Sequence, residues 1–144
     1  MSSTRQYIMI LAFVFLLGCE KTHNKEANAE EFQLVPISTE VALQHIKKNK
    51  VTFLEVGSES CYSCQIMGKK LEDVKNEKTN FNVIFVDVYK DAQALKEFDV
   101  KVIPTQIIVN NNSEEIFRHV GVLDKKKILK LVEEHNVYSS NGNR

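Results

Sequence analysis

The stretch FNVIFVDV, Phe81 to Val88, limits the fold more than any other part of the chain. It has the length of a strand, and apolar side chains fall at both odd and even positions. Successive side chains on a strand point to opposite faces, so a segment of this kind buries both. A sheet with one solvated face cannot hold it. The chain must therefore build a central sheet with helices above and below.

The remaining segments supply those layers. Ser38 is placed to cap a helix from Thr39 to about Lys48, with Val41, Ala42, His45 and Ile46 on one side. VTFLEVG, Val51 to Gly57, reads as a second strand of β-branched and apolar residues. From Tyr62 to about Asn76, Ile66, Met67, Leu71 and Val74 recur at helical spacing. Asp91 opens a short helix to about Phe98. TQIIVN (Thr105 to Asn110) and EEIFRHV (Glu114 to Val120) form a hairpin across an asparagine turn. Asp124 caps a last helix to about His135, with Ile128, Leu129 and Val132 inward. The order implies an α/β domain with one sheet covered on both faces, and 144 residues suit one such domain.

The N-terminus reads differently. Arg5 precedes an apolar run, YIMILAFVFLLGC, that is too short to span a bilayer comfortably and has the shape of a signal peptide. LLGC at 16–19 resembles the lipobox of bacterial lipoproteins, in which the chain is cut before the cysteine and that cysteine carries the lipid. An ordinary signal peptide with an incidental cysteine is the alternative. The expected organisation is a signal peptide over 1–18, lipidated Cys19 with a polar tether over 19–32, a folded domain over 33–138 and a disordered tail over 139–144. The expected location is the extracytoplasmic side of a bacterial cell envelope, with Cys19 as the contact with the membrane.

Nineteen basic and nineteen acidic residues cancel, so no basic surface points to nucleic acid. No glycine-rich phosphate loop is present, and no cofactor is expected.

Three cysteines are an odd number for an exported chain, and lipid on Cys19 would leave Cys61 and Cys64 as the only thiols. Cys61 falls where a strand has ended and a helix begins. Free N–H groups and the positive end of the dipole there favour a thiolate. Cys64, one turn further on, is close enough to attack a mixed disulfide formed at Cys61. Two other readings stay open. A closed zinc site needs four ligands, and no further thiol or suitably spaced histidine supplies them, although the pair and one distant histidine suit copper. An inert structural disulfide also fits export, but closing so short a loop stabilises little.

VIPT at 102–105 and VGVL at 120–123 add to the pair. A C-x-x-C, an I-P-T and a later glycine, in that order and at nearly the family spacing, resemble thioredoxin over about Leu34 to Asn136. The resemblance implies a thioredoxin fold with a mixed sheet flanked on both faces. It also implies a thiol–disulfide oxidoreductase with a redox-active Cys61–Cys64 disulfide and no metal. By the same resemblance, a cis Pro104 with Thr105 faces the pair, Gly121 lines the substrate groove, and the Ile103 backbone pairs with an extended substrate. A proline at a strand start is consistent with this, because it cannot donate to the ladder, and a plain strand-edge proline is the alternative. Tyr62, exposed at the helix start, either packs on a partner protein or is a solvent-facing aromatic.

Glu55 sits in the middle of an apolar strand, where a carboxyl is expensive unless partnered or protonated. Thioredoxin has a buried aspartate at the matching place, six residues before the first cysteine, so the resemblance makes Glu55 the proton acceptor for Cys64. A solvent-facing Glu55 is the alternative. The chain departs from thioredoxin in having Ser60 in place of a tryptophan, Tyr62 and Ser63 between the cysteines, and Phe85 near the position of the lysine that neighbours the acid.

The expectation is an exported enzyme that reduces protein disulfides. It is similar to thioredoxin-like lipoproteins that reduce apocytochrome c or other envelope proteins with electrons from a membrane thiol transporter. The competing expectation is a thioredoxin-fold copper carrier or partner-binding module without turnover.

Overall fold

The computed structural model describes residues 34–48 and 50–138. The expected signal peptide, the lipidation site Cys19 with its tether, and the tail 139–144 lie outside the described residues. The elements in chain order are α1 (Thr39–Ile46), β1 (Thr52–Gly57), α2 (Tyr62–Glu77), β2 (Val83–Asp87), α3 (Gln93–Glu97), β3 (Thr105–Val109), β4 (Glu115–Val120) and α4 (Lys125–Glu134). The sheet runs β2-β1-β3-β4. The β1 and β2 strands are parallel, while β3 is antiparallel to both β1 and β4.

Both faces are covered, as the apolar strand demanded. On one face Phe53, Phe85 and Ile108 pack against Met67, Leu71 and Val74 of α2 and Ile128, Leu131 and Val132 of α4. On the other, Leu54, Val56, Ile84, Val86 and Ile107 pack against Ala42 and Ile46 of α1 and Ala94 of α3. Each of these side chains removes apolar area from water at about 25 cal/mol per Å2, so the strands are held from both sides.

Several elements differ in detail from their sequence signals. The helix from Asp91 starts later, because the Asp91 carboxylate accepts from Thr39 N–H (2.7 Å) and Gln93 N–H (3.2 Å) and so closes the preceding turn. Val41 is exposed and Thr39 takes the inward place beside Ala42 and Ile46. In α2 the stripe is centred on Cys64, Met67, Gly68, Leu71 and Val74, which leaves Ile66 at the surface. Ser38 caps α1 by accepting from Val41 N–H at 3.3 Å. Asp124 occupies the cap position of α4 but makes no side-chain cap bond there; its carboxylate takes Lys70 Nζ at 3.5 Å instead.

Candidate active site

The site forms where β1 ends and α2 begins. Cys61 is the residue that opens α2, half-buried, with extended backbone and no side-chain cap of its own. Its thiol lies 3.3 Å from the Ser63 hydroxyl. Cys64 lies one turn deeper and is fully buried. Both are free thiols, so the structure holds the dithiol form of the pair.

Their environments separate the two sulfurs. Partial burial pushes the Cys61 thiol up, but hydrogen bonds from the Cys64 and Ser63 side chains and main chains outweigh it. The net effect is a pKa below the ordinary thiol value. Burial pushes Cys64 up to about 12, with the Cys61 hydrogen bond adding to the rise and a bond from the Ser58 main chain easing it. Cys61 is the thiol that ionises and meets solvent; Cys64 keeps its proton until something takes it.

Glu55 is the group beside it. Its side chain is fully buried, which rules out a solvent-facing orientation. Burial holds its carboxyl well above the ordinary value of 4.5, against a hydrogen bond from Gln106 that favours the charged form. Gln106 Nε2 donates to Glu55 Oε2 at 3.0 Å, while Glu55 Oε1 has no hydrogen-bond partner. Gly57 explains how the groups meet. A Cβ at that position would stand 3.2 Å from Cys64 Sγ and 3.4 Å from Glu55 Oε1. A larger residue there would press on both groups, and glycine leaves the thiol and the carboxyl a common space.

The I-P-T segment forms the next strand over. The Ile103–Pro104 peptide bond is cis. Thr105 pairs with Val56, so Pro104 lies just past the paired residues, at the same end of the sheet as Gly57. Ile103 is half-buried, and Thr105 is buried with its hydroxyl donating to the Val102 carbonyl at 2.6 Å. Gly121 follows β4, donates its N–H to the Pro104 carbonyl at 2.8 Å, and has φ +99°, a conformation that suits glycine. The structure therefore brings Ile103, Pro104, Thr105 and Gly121 together where β3 begins and β4 ends. Tyr62 stands exposed at the start of α2.

Three contributors escape the sequence reading. Gln106 holds the buried carboxyl and lies directly across from Glu55 in the β1–β3 register. Asp87, at the end of β2, accepts from Glu59 N–H (2.9 Å), Tyr89 N–H (2.8 Å) and the Ser58 hydroxyl (3.4 Å). Ser58 in turn accepts from Ser60 N–H at 3.2 Å, and Cys61 N–H reaches the Ser58 carbonyl at 3.2 Å. Asp87 and Ser58 thus fix the loop that delivers Cys61.

His45 shares a 2.8 Å hydrogen bond with Asn82, away from the pair. Among the described residues no group of three or more His, Cys, Asp or Glu side chains could hold a metal ion. A cavity of about 400 Å3 opens on the other side of the sheet, between α1, α3 and the β3–β4 hairpin, and neither cysteine lines it.

An ionisable surface thiol, a buried partner thiol one turn away and a buried carboxyl beside it define a thiol–disulfide oxidoreductase. The family model for a thioredoxin-like domain matches residues 35–136, and the chain belongs to that family. A thioredoxin from Chlamydia trachomatis is 26% identical over 85 residues, covering 59% of this chain and 82% of its own. A thioredoxin from Mycoplasmoides gallisepticum is 23% identical over 90 residues, covering 62% of this chain and 89% of its own. Among solved structures, Fasciola hepatica thioredoxin superposes with a TM-score of 0.60 at 20% identity, covering 68% of this chain and 94% of its own. That likeness shows the fold.

Proposed function

We propose that the protein reduces protein disulfides in a bacterial cell envelope, held there by lipid on Cys19. The observation that carries the reduction is the split between the two thiols: Cys61 is accessible and ionisable, while Cys64 is buried beside a carboxyl with a free oxygen. Cys61 thiolate attacks a substrate sulfur, a mixed disulfide forms, and the first substrate thiolate leaves. The Ile103 backbone aligns the substrate chain, with Pro104, Thr105 and Gly121 shaping the groove and Tyr62 at its rim. Cys64 gives its proton to Glu55 and attacks Cys61 Sγ. The second substrate thiolate leaves, the substrate has gained two electrons, and the pair has become the Cys61–Cys64 disulfide. A membrane thiol transporter returns two electrons by the same exchange in reverse.

Export rests on the sequence before residue 20: Arg5, the apolar run and LLGC. Reduction over oxidation is supported by the buried carboxyl at Glu55 and the isoleucine before Pro104.

The test is insulin reduction with a small dithiol as recharging agent, alongside a redox titration. The wild-type protein precipitates the insulin B chain and Cys61→Ser does not. A potential well above that of the glutathione couple overturns the reductase assignment. Tight binding of one Cu(I) without insulin reduction turns the pair into a metal-holding site. Radiolabelled palmitate incorporated by wild type and lost in Cys19→Ser supports the anchor; equal labelling of both overturns it.

A further inference from the structure

We propose that Gln106 is a positioning residue for the resolving step: its amide holds Glu55 Oε2 and so presents the unpaired Oε1 to Cys64. The inference rests on the reading of Glu55 as proton acceptor and adds the residue that makes it one.

Four observations carry it. Gln106 and Glu55 are register partners across β1 and β3, and both are fully buried. Gln106 Nε2 donates to Oε2 at 3.0 Å, which occupies one carboxyl oxygen and sets the plane of the group. The other oxygen, Oε1, is unpaired and shares with Cys64 Sγ the space beside Gly57. Gln106 Oε1 is unpaired as well, so the donor in this cluster is the amide nitrogen alone. Burial favours the neutral carboxyl, and only its ionised fraction can take the Cys64 proton.

Gln106 acts on that fraction. A donor to the carboxylate favours the charged form, and among the described residues Gln106 is the side chain that donates to Glu55. Among the described residues, the titratable groups whose charge acts on Glu55 are Cys64 in the first turn of α2 and Cys61 at its cap. Removing the amide leaves the carboxyl free to turn and harder to ionise. Resolution must then slow and move to higher pH, while attack by Cys61 does not depend on it.

A stopped-flow reaction of the full chain with dithiobis-nitrobenzoate separates these steps. Cys19→Ser is built in so that only the pair reacts. The first thionitrobenzoate leaves when Cys61 forms the mixed disulfide. The second leaves when the Cys64 sulfur displaces it, its proton passing to Glu55 and the Cys61–Cys64 bond forming. Gln106→Met keeps the length of the side chain without its amide. The second phase slows about tenfold near pH 7, its pH profile moves upward, and the first phase is unchanged. Gln106→Asn, an amide one methylene short, falls between Met and wild type, and it carries the test if the Met variant does not fold. In Glu55→Gln the second phase is slow, and adding Gln106→Met slows it no further.

A second phase of unchanged rate and pH profile in Gln106→Met, with Glu55→Gln slow, overturns the role of Gln106 and leaves that of Glu55. A fast second phase in Glu55→Gln overturns the proton acceptor itself. Equal slowing of both phases makes Gln106 a structural residue only.

Discussion

Two carboxylates lie buried on neighbouring strands, and they behave oppositely. Glu55 of β1 is 0% exposed and Asp87 of β2 is 2% exposed. Both lose hydration. Asp87 regains it from the Glu59 and Tyr89 N–H groups and the Ser58 hydroxyl, with the Lys90 main chain adding to them, and these outweigh burial to hold its pKa below the ordinary value. Glu55 has one donor, Gln106, and burial wins. Depth of burial and the donors aimed at a carboxyl decide its state together: Glu55 lies deep in the sheet with one donor, and Asp87 lies at the end of its strand with several. The site rich in donors makes a clamp, charged at neutral pH, that fixes the loop ahead of Cys61. The poorly solvated site makes a group that can gain and lose a proton beside Cys64.

The largest expected effect is on the clamp. Asp87→Ala removes the acceptor of two main-chain N–H groups and a hydroxyl in a part-buried loop. Hydrogen bonds to a charged group contribute about 1.5–3 kcal/mol each, not additively, so a loss of about 3 kcal/mol is expected in urea unfolding near neutral pH. Asp87→Asn keeps an acceptor and loses about half as much. A loss below about 1 kcal/mol for the alanine variant would mean that the loop is held by something other than Asp87.

The second effect is a difference in sign. Asp87 has a depressed pKa, so its contribution is present above the unfolded value of 3.8 and is lost as pH falls through its folded pKa. Glu55 has a raised pKa. Above 4.5 the unfolded chain releases the Glu55 proton while the folded chain retains it, so stability falls as pH rises, until the folded pKa is reached. The slope approaches about 1.4 kcal/mol per pH unit in that window. Glu55→Gln removes this slope, and its stability curve diverges above that of the wild-type dithiol form as pH rises from about 5. Parallel curves would show that Glu55 is ionised in the folded protein, and the contrast with Asp87 would collapse.

Much of this contrast is legible in the sequence, but only one residue at a time. FNVIFVDV demands a sheet covered on both faces, and the two core clusters supply it. The position of Cys61 at the strand–helix junction and the burial of Glu55 both follow from local pattern. The same rule that marks Glu55, a polar residue within an apolar strand, also marks Asp87 and Gln106. It cannot say which donors they find. Glu55 meets Gln106 only through the antiparallel register of β1 and β3, fifty-one residues apart, and Asp87 meets the loop after β1 from twenty-eight residues away. Helical spacing has a similar limit. It finds the stripe on α1 and α2 but not its centre, which is why Val41 and Ile66 face outward.

The smallest expected effect comes from Ser58, which touches both regions. Its main chain bonds the Cys64 sulfur, while its hydroxyl donates to Asp87 Oδ2 at 3.4 Å and accepts from Ser60 N–H at 3.2 Å. Ser58→Ala removes the hydroxyl and leaves the main chain in place. The hydroxyl bond to Asp87 is long, and Asp87 keeps its two N–H donors. A cost of about 0.5–1 kcal/mol is expected in urea unfolding. The release of the second thionitrobenzoate, which follows Cys64, stays within about twofold of wild type, because the main-chain bond to sulfur survives. A second phase slowed as far as in Glu55→Gln would mean that the clamp and the proton site are one network, coupled through this hydroxyl, and that Asp87 acts on Cys64 as well as on the loop.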